Sequence, residues 1–396
     1  MPNTDRGGQV ISTILRHDAK TTSYKLALIR AINDVAIAYP DIGHSGSRVA
    51  VPLRVLAERW IGYYWPFVEP SKPILQGSPA KTSRGQNQDM GFRAALTALR
   101  LSWEAFSGGH ARPSDGYVAT NELRRKQNRE QFPPDLVTRF DEARTSIVSA
   151  LDEPVRYAGP GEWSVFHRPT TVENHAGLLR SEVETIPGTG VRDRCLIVET
   201  ELWQTFRSLS IWIEALCIHE WCLFTERRQR HSGMPNPINR GHVYELLTDQ
   251  PSSRRPLTWE RNLIDLLIAE GHVFTCPWTQ RRITLKSQYD VDHVLPLSVY
   301  PTNELWNLVP SDPEFNQRSK RDRIPSLARL KQAQPHLARS YRCYLQSSSL
   351  ARVLKDDVTM RFGSVSYELN NYEFGVTEAV VRFVELFGNA RNLSRF

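Results

Sequence analysis

YDVDHVLPLSVYPTNELWNLVPSDPEFNQRSKRDRI, residues 289–324, is the stretch on which the reading of this chain turns. It opens with a β-prone run, YDVDHV, that Pro296 must end, because proline has no N–H to give to a ladder. SDPE at Ser311 to Glu314 is a capping-box pattern with Pro313 in the first turn, so a helix is expected to begin there. Just upstream, HVFTCPWTQRRITL reads as two short β-prone pieces around a turn.

Toward the amino terminus the periodicity is helical. Thr21, Thr22 and Ser23 are candidate caps before YKLALIRAINDVAIAY, in which Leu26, Ile29, Ile32 and Ala36 line one face. Val51 to Trp65 predicts a second helix, stopped by Pro66. Two short helices with a Gly/Ser-rich joint fit a helix-turn-helix reader of DNA, but an ordinary helical bundle carries the same signature and is the simpler reading. Glu69 to Gln88 reads as loop, Gly91 to Phe106 as helix, and the charged run from Arg124 to Gln131 as a solvated face. Pro133 and Pro134 open a helix to about Leu151, and Gly159 to Gly161 suggest a short hairpin. The pattern then weakens, which places a domain boundary near residue 190. Glu201 to Arg228 is the longest helical signal; Leu202, Phe206, Leu209, Trp212, Ile213, Leu216 and Leu223 form a core stripe on a helix expected to join the two halves. A basic connector follows at Arg227, Arg228 and Arg230, then a helix from Trp259 to Glu270 with Thr258 as its cap and Gly271 as its stop. The expected fold class is α+β and predominantly helical. Its parts are a helical domain over 1–190, a long helix and connector over 191–270, the strand–strand–helix module over 271–330, and a basic helical extension over 331–396.

An apolar share of 40%, with ten Trp, thirteen Tyr and fifteen Phe in 396 residues, supports packed cores and excludes a disordered chain. No window approaches ~18 uninterrupted apolar residues, and MPNTDRGGQVIST lacks the basic-then-apolar layout of a signal peptide, so a cytoplasmic protein without membrane contact is expected. Cys195, Cys217, Cys222, Cys276 and Cys343 are odd in number and scattered, which fits reduced thiols. Cys217, His219 and Cys222 invite a zinc reading; helical geometry puts His219 and Cys222 on one face and Cys217 elsewhere, so core packing is expected instead. The net charge of +7 and isoelectric point near 9.2 favour a polyanionic partner without identifying it. Arg321, Arg323, Arg329, Lys331, Arg339 and Arg342 stand against one acid, Asp322, directly after the organising stretch, where a phosphate backbone would lie.

Within that stretch Asp292 and His293 are adjacent, Asn307 lies fourteen positions after the histidine, Asn316 nine further on, and Lys320 four beyond. Phosphodiester hydrolysis needs a nucleophilic water, an in-line approach and stabilisation of charge on the departing oxygen, which one divalent ion and a general base supply. Histidine is the side chain whose unperturbed form can take a proton near neutrality, which suits His293 to the base, and Asp292 offers a hard anionic oxygen suited to magnesium. Asn316 and Lys320 would face the same way on the expected helix, one presenting an amide oxygen to a metal and the other a cation to the scissile phosphate. Strict strand alternation would send Asp292 and His293 to opposite faces, so the strand must end or twist between them and Pro296. Any one of these residues alone is more often structural; jointly they point to a metal-dependent phosphodiesterase.

YDVDHVLP, LWNLVP and FN followed closely by lysine resemble the HNH, or ββα-metal, nucleases. YDVDH is similar to the HNH domain of RNA-guided CRISPR nucleases, while the LWNLVP and RIPS surroundings are similar to stand-alone HNH endonucleases of bacterial restriction and defence. The resemblance spans about residues 271–325, roughly a seventh of the chain. It implies His293 as general base, Asp292 and Asn316 as ligands of Mg2+ or Mn2+, and Asn307 as the middle asparagine that braces the loop and orients the histidine. Many relatives hold the module with two Cys-x-x-Cys pairs on zinc; here Thr279 follows Cys276 where the second cysteine would stand, so a structural zinc is not expected. Relatives often read Asn-x-x-Lys, whereas Lys320 is one residue further on, leaving Lys320 and Arg318 as competitors for the phosphate role. Arg281, Arg282, Arg321, Arg323, Arg329 and Lys331 are the expected nucleic-acid contacts. The expectation is a magnesium-dependent DNA endonuclease of restriction or anti-phage type acting on double-stranded DNA, as a nickase or as a homodimer because a double-strand cut needs two sites. The helical half would supply target choice or oligomerisation. Alternatives are an RNA-directed or non-specific nuclease, an effector that works only beside a sensor protein, and a degenerate nucleic-acid-binding module, the last disfavoured by the presence of both Asp292 and His293.

Overall fold

A computed structural model describes residues 4–43, 46–78, 80–81, 87–109, 111–125, 128–171, 182–231, 238–249, 257–285, 288–300, 302–363, 365 and 371–396. The chain divides at Pro251 and Ser252 into two compact units. Parts of the expected loop at Glu69 to Gln88, of the charged run, of the weak segment before residue 190 and of the connector behind Arg230 lie outside the described residues.

The first unit contains α1 (Thr4–Ser12), α2 (Tyr24–Ala38), β1 (Arg48–Pro52), α3 (Leu53–Tyr64), β2 (Ala80–Lys81), β3 (Asn87–Gln88), α4 (Arg93–Ser107), α5 (Asp115–Leu123), α6 (Pro134–Ala150), α7 (Asp152–Arg156), β4 (Val183–Thr185), β5 (Cys195–Val198), α8 (Thr200–Ser208), α9 (Ser210–His231) and α10 (Arg240–Thr248). Twelve of the fifteen residues of α2 are buried, because the sequence is apolar on every face and not only along the Leu26 stripe. α3 buries nine of its twelve. A helix enclosed on all sides has no face for a DNA groove, so the two helices form a core layer and not a helix-turn-helix reader. Ser23 does not cap α2 with its side chain; its hydroxyl pairs with the Tyr64 hydroxyl at 2.9 Å inside that core. Tyr24, Trp60, Tyr64 and Phe92 pack there with ring centroids 5.0 to 6.3 Å apart, in a range where aromatic pairs add to plain burial.

β1 takes residues expected to begin the second helix, and its partners explain why. The sheet order is β4–β1–β5, parallel to β4 and antiparallel to β5, with Ala50 opposite Ile197 and Val51 opposite Leu196. This pairing ties residues 183–198 to the amino-terminal core, and Ile213, Cys217 and Trp221 of α9 join the same core. The division therefore falls near residue 251 and not near 190. The long helix of Glu201 to Arg228 is in fact α8 and α9, broken at Leu209, where Ser208 Oγ turns back to the Gln204 carbonyl and Asn33 Nδ2 takes the Ser210 carbonyl at 3.2 Å. It lies wholly in the first unit and is no spine between halves. The expected stripe also fails in part: Leu202, Phe206 and Ile213 face inward, whereas Trp212 is 74% exposed. Cys217 and Cys222 both turn to the core while His219 is exposed, the reverse of the facing expected from spacing. Gly159 to Gly161 form a turn without paired strands, closed by Trp163 N to the Arg156 carbonyl at 2.7 Å, because Trp163, Val165 and Phe166 pack on the core.

The second unit contains α11 (Thr258–Ala269), β6 (Phe274–Thr275), β7 (Arg282–Ile283), β8 (Asp290–His293), β9 (Leu308–Ser311), α12 (Pro313–Phe315), α13 (Leu327–Tyr344), α14 (Ser348–Arg361) and α15 (Tyr372–Arg391). Thr258 sits inside α11 and not at its cap, and Gly271 follows the helix at φ +96°, a conformation that costs glycine little. The module and the extension beyond residue 330, expected as separate pieces, form one body. Tyr341 donates to the Trp306 carbonyl at 2.6 Å, Tyr344 to the Leu308 carbonyl at 2.9 Å, and Asp357 accepts from Leu305 N at 2.7 Å. Trp306 is fully buried against Phe362 and Phe383, with centroids 5.2 and 5.5 Å away. No described helix is long and apolar enough to cross a membrane.

Candidate metal and phosphodiester site

β8 and β9 run antiparallel with Asp292 opposite Val309 and His293 opposite Leu308, and β8 ends at His293. Alternation puts Asp290 and Asp292 on one face of the strand. After β9 the cap of α12 is Asp312, whose carboxylate accepts from Glu314 N at 3.0 Å and Phe315 N at 3.4 Å; Ser311, the cap expected from the pattern, is still paired in the strand. From Asn316 to Lys320 the backbone opens into a π-helical turn, in which Arg321 N reaches the Asn316 carbonyl at 2.9 Å. That wider turn absorbs the one residue by which this chain exceeds Asn-x-x-Lys. The chain leaves it through Arg321 at φ +50° and ψ −130°, a conformation that costs a non-glycine residue about 1–3 kcal/mol and persists only where neighbours hold it.

The turn meets β8 rung by rung. Asn316 Nδ2 donates to Asp290 Oδ2 at 3.2 Å, and Lys320, 1% exposed, donates to Asp292 Oδ1 at 2.9 Å and to the His293 carbonyl at 2.6 Å. Asp292 Oδ2 is buried without a hydrogen-bond partner among the described residues. A bare carboxylate oxygen in that position has lost its water and gained nothing, which is the environment a cation relieves. With its nitrogen committed to Asp290, Asn316 has Oδ1 left as an acceptor. These are hard oxygen donors and fit Mg2+ or Mn2+, ions that keep several waters of their own. Among the described residues no three His, Cys, Asp or Glu side chains group to hold a metal, so the amide oxygen is needed in the donor set.

His293 is buried, and its Nε2 lies 2.8 Å from Asn303 Oδ1. Asn307, fully buried, accepts from Leu295 N through Oδ1 at 2.8 Å, donates to the Leu295 carbonyl at 3.1 Å, and receives Val294 N on its own carbonyl at 2.8 Å. It therefore clamps the two residues that follow His293. The other end of β8 is held by α11, where Tyr289 donates to Asp265 Oδ1 at 2.7 Å beneath the Arg261 guanidinium. Burial, followed by that carboxylate, pushes the Tyr289 phenol well above its ordinary pKa.

Of the basic residues singled out, Arg281, Arg282, Arg318, Arg321, Arg329 and Lys331 are exposed and Arg323 is half-buried. Arg318 pairs with Glu314 at 2.9 Å, Arg281 with Asp312 at 3.3 Å, and Arg323 donates to the Ser319 carbonyl. Lys320 thus turns inward to Asp292 and Arg318 outward to solvent. In the β6–β7 hairpin Cys276 is buried and Thr279 exposed, and the turn is closed by backbone bonds of 2.9 Å between Cys276 and Arg281 and between Gln280 and Cys276. Two residues of the site escaped the sequence reading. Asp290 shares a face with Asp292 and was findable from strand period; Asn303 sits in a loop with no periodic signal. A cavity of about 640 Å³ in the first unit, lined by His17, Lys20, Lys25 and Glu153 among others, holds none of these residues.

Residues 276–326 match the family model of the HNH endonucleases, so the module is an HNH domain. No curated protein and no solved structure matches the chain. Residues 4–247, more than half of the chain, match the model described as a domain of unknown function (DUF8808), and the chain belongs to that family.

Proposed function

We propose that the chain is a metal-dependent endonuclease that hydrolyses DNA phosphodiester bonds, in a restriction or anti-phage setting. The observation that carries it is the buried Asp292 Oδ2, without a hydrogen-bond partner among the described residues, on the strand that also carries His293 and that meets Asn316 through Asp290. Asp292 and Asn316 would hold Mg2+ or Mn2+, which when bound supplies charge for the scissile phosphate and the departing oxygen. His293 takes the proton from the attacking water. Lys320 fixes Asp292 Oδ1 and the His293 carbonyl and so holds the two residues at a set spacing. Asn307 keeps the backbone after His293 from sliding along β9. Arg282, Arg321 and Lys331 give a cationic surface for the phosphate backbone, with Arg318 and Arg281 available by exchange of their exposed ion pairs. The preference for DNA and the defence setting rest on the resemblance of YDVDH, LWNLVP and RIPS to such enzymes.

The test is incubation of the purified chain with supercoiled plasmid, linear duplex and RNA, each with magnesium, manganese or EDTA, beside His293→Ala. Magnesium-dependent cutting of DNA, reduced to a small residual rate in the variant, is expected. Cutting that survives both EDTA and the alanine would sink the mechanism. Nicked plasmid without linear product would assign a single cut per encounter, and a preference for RNA would move the substrate.

A further inference from the structure

We infer that Asn303 is a positioning residue for the base, holding His293 in the tautomer that carries its proton on Nε2. The inference rests on the reading of His293 as the general base. A neutral imidazole has one donor and one acceptor nitrogen, and the hydrogen bond made by one decides the role of the other. With Asn303 Oδ1 2.8 Å from Nε2, an amide oxygen can only accept there, so Nε2 carries the hydrogen and Nδ1 is the basic nitrogen. The bond also limits rotation of the ring about Cβ–Cγ, which would otherwise swing either nitrogen toward the water.

Asn303 can do this because its loop is tied down on both sides. Before it, the Tyr300 ring sits 5.8 Å from Trp306, 5.5 Å from Phe383 and 5.4 Å from Phe387, and Arg391 donates to the Val299 carbonyl at 3.0 Å. After it, Leu305 N bonds Asp357 Oδ2 at 2.7 Å, and the buried Glu304 accepts from Trp306 Nε1 at 2.7 Å. Asp357 is on α14, while Phe383, Phe387 and Arg391 are on α15, so the helices beyond the HNH domain set the orientation of the base inside it. Asn307, the expected orienter, spends both ends of its amide on Leu295.

The experiment is a cycle on the full chain: wild type, Asn303→Ala, His293→Ala and the double variant, with Asn303→Asp as the conservative control. Plasmid-nicking kcat, KM and the magnesium half-saturation are read for each, and ¹⁵N-histidine spectra report the His293 tautomer. Asn303→Ala should lower kcat about 10- to 100-fold, as loss of an orienting partner does, with KM and magnesium dependence unchanged. Asn303→Asp keeps the acceptor oxygen and should stay within a few-fold of wild type. In the His293→Ala background the second change should do nothing more, because Asn303 acts only through the ring. The spectra should show Nε2–H in wild type and a mixture in Asn303→Ala. Equal losses in both backgrounds, a shift in magnesium half-saturation, or an unchanged tautomer would overturn the inference. If the tautomer responds as stated but wild type cuts nothing, the nuclease reading falls and the positioning role with it.

Discussion

Replacing Lys320 by methionine keeps most of the volume of a side chain that is 1% exposed and removes its charge. Two charge-assisted hydrogen bonds disappear, at 2.9 Å to Asp292 Oδ1 and 2.6 Å to the His293 carbonyl. The carboxylate, 7% exposed and already bare at Oδ2 among the described residues, is then stranded in a dry site. Breaking one side of a buried pair costs about 3–5 kcal/mol, which at about 1.4 kcal/mol per factor of ten is roughly two to four decades in the local opening constant. Native-state hydrogen exchange of peptides covering β8 and β9 measures that constant directly. Exchange there should accelerate by roughly those two to four decades in Lys320→Met while α2 and α3 in the first unit are unaffected. Excess magnesium should restore protection in the variant more than it adds to wild type, because the ion replaces the missing counter-charge. Adding Asp292→Asn to Lys320→Met should also recover protection, since no charge is left stranded. An acceleration of less than about tenfold would refute the reasoning, because Asp292 would then be solvated and the pair superficial.

Asn307→Ala removes two buried side-chain hydrogen bonds to Leu295 and should destabilise the second unit by about 2–4 kcal/mol, seen as a lower urea midpoint for that unit's transition. His336, whose Nδ1 lies 2.7 Å from Thr275 Oγ1, is held below the ordinary imidazole pKa by burial and then by Arg339. A depressed histidine pKa favours the neutral folded form, so its contribution is complete above the unfolded value of about 6.5 and is lost as pH falls through the folded one. Denaturation midpoints between about pH 7.5 and 5 should fall more steeply for wild type than for His336→Gln. Arg282→Ala and Lys331→Ala should each reduce the slope of log affinity for DNA against log salt by about 0.9 without altering folding, as checked by filter binding across a salt series. Trp212→Ser, at a side chain that is 74% exposed, should leave stability within about 0.5 kcal/mol of wild type in the same urea titration.

What could be read from the sequence alone was whatever depends on near neighbours. The order Asp292, His293, Asn307, Asn316 and Lys320, the hairpin before them, the cap at the start of α12 to within one residue, and helices such as α2, α4, α6 and α11 all follow from spacings shorter than about thirty residues. Proline, glycine and apolar period mark such elements whatever surrounds them. The tertiary structure decided everything that needed a distant partner. β1 is a strand because β4 and β5, more than a hundred residues later, supply its hydrogen bonds, and the same pairing moves the boundary from near 190 to 251. The helix breaks at Leu209 where Asn33 takes the Ser210 carbonyl, and Trp212 faces water because α9 offers its other side to the core. Lys320 goes inward because a π turn lengthens its reach to Asp292, and Asn303 gains a role only because α14 and α15 fix the loop that carries it. Spacing along the chain names the groups that can react. Contacts across the fold determine which of them are dry, which are paired and which way each one points.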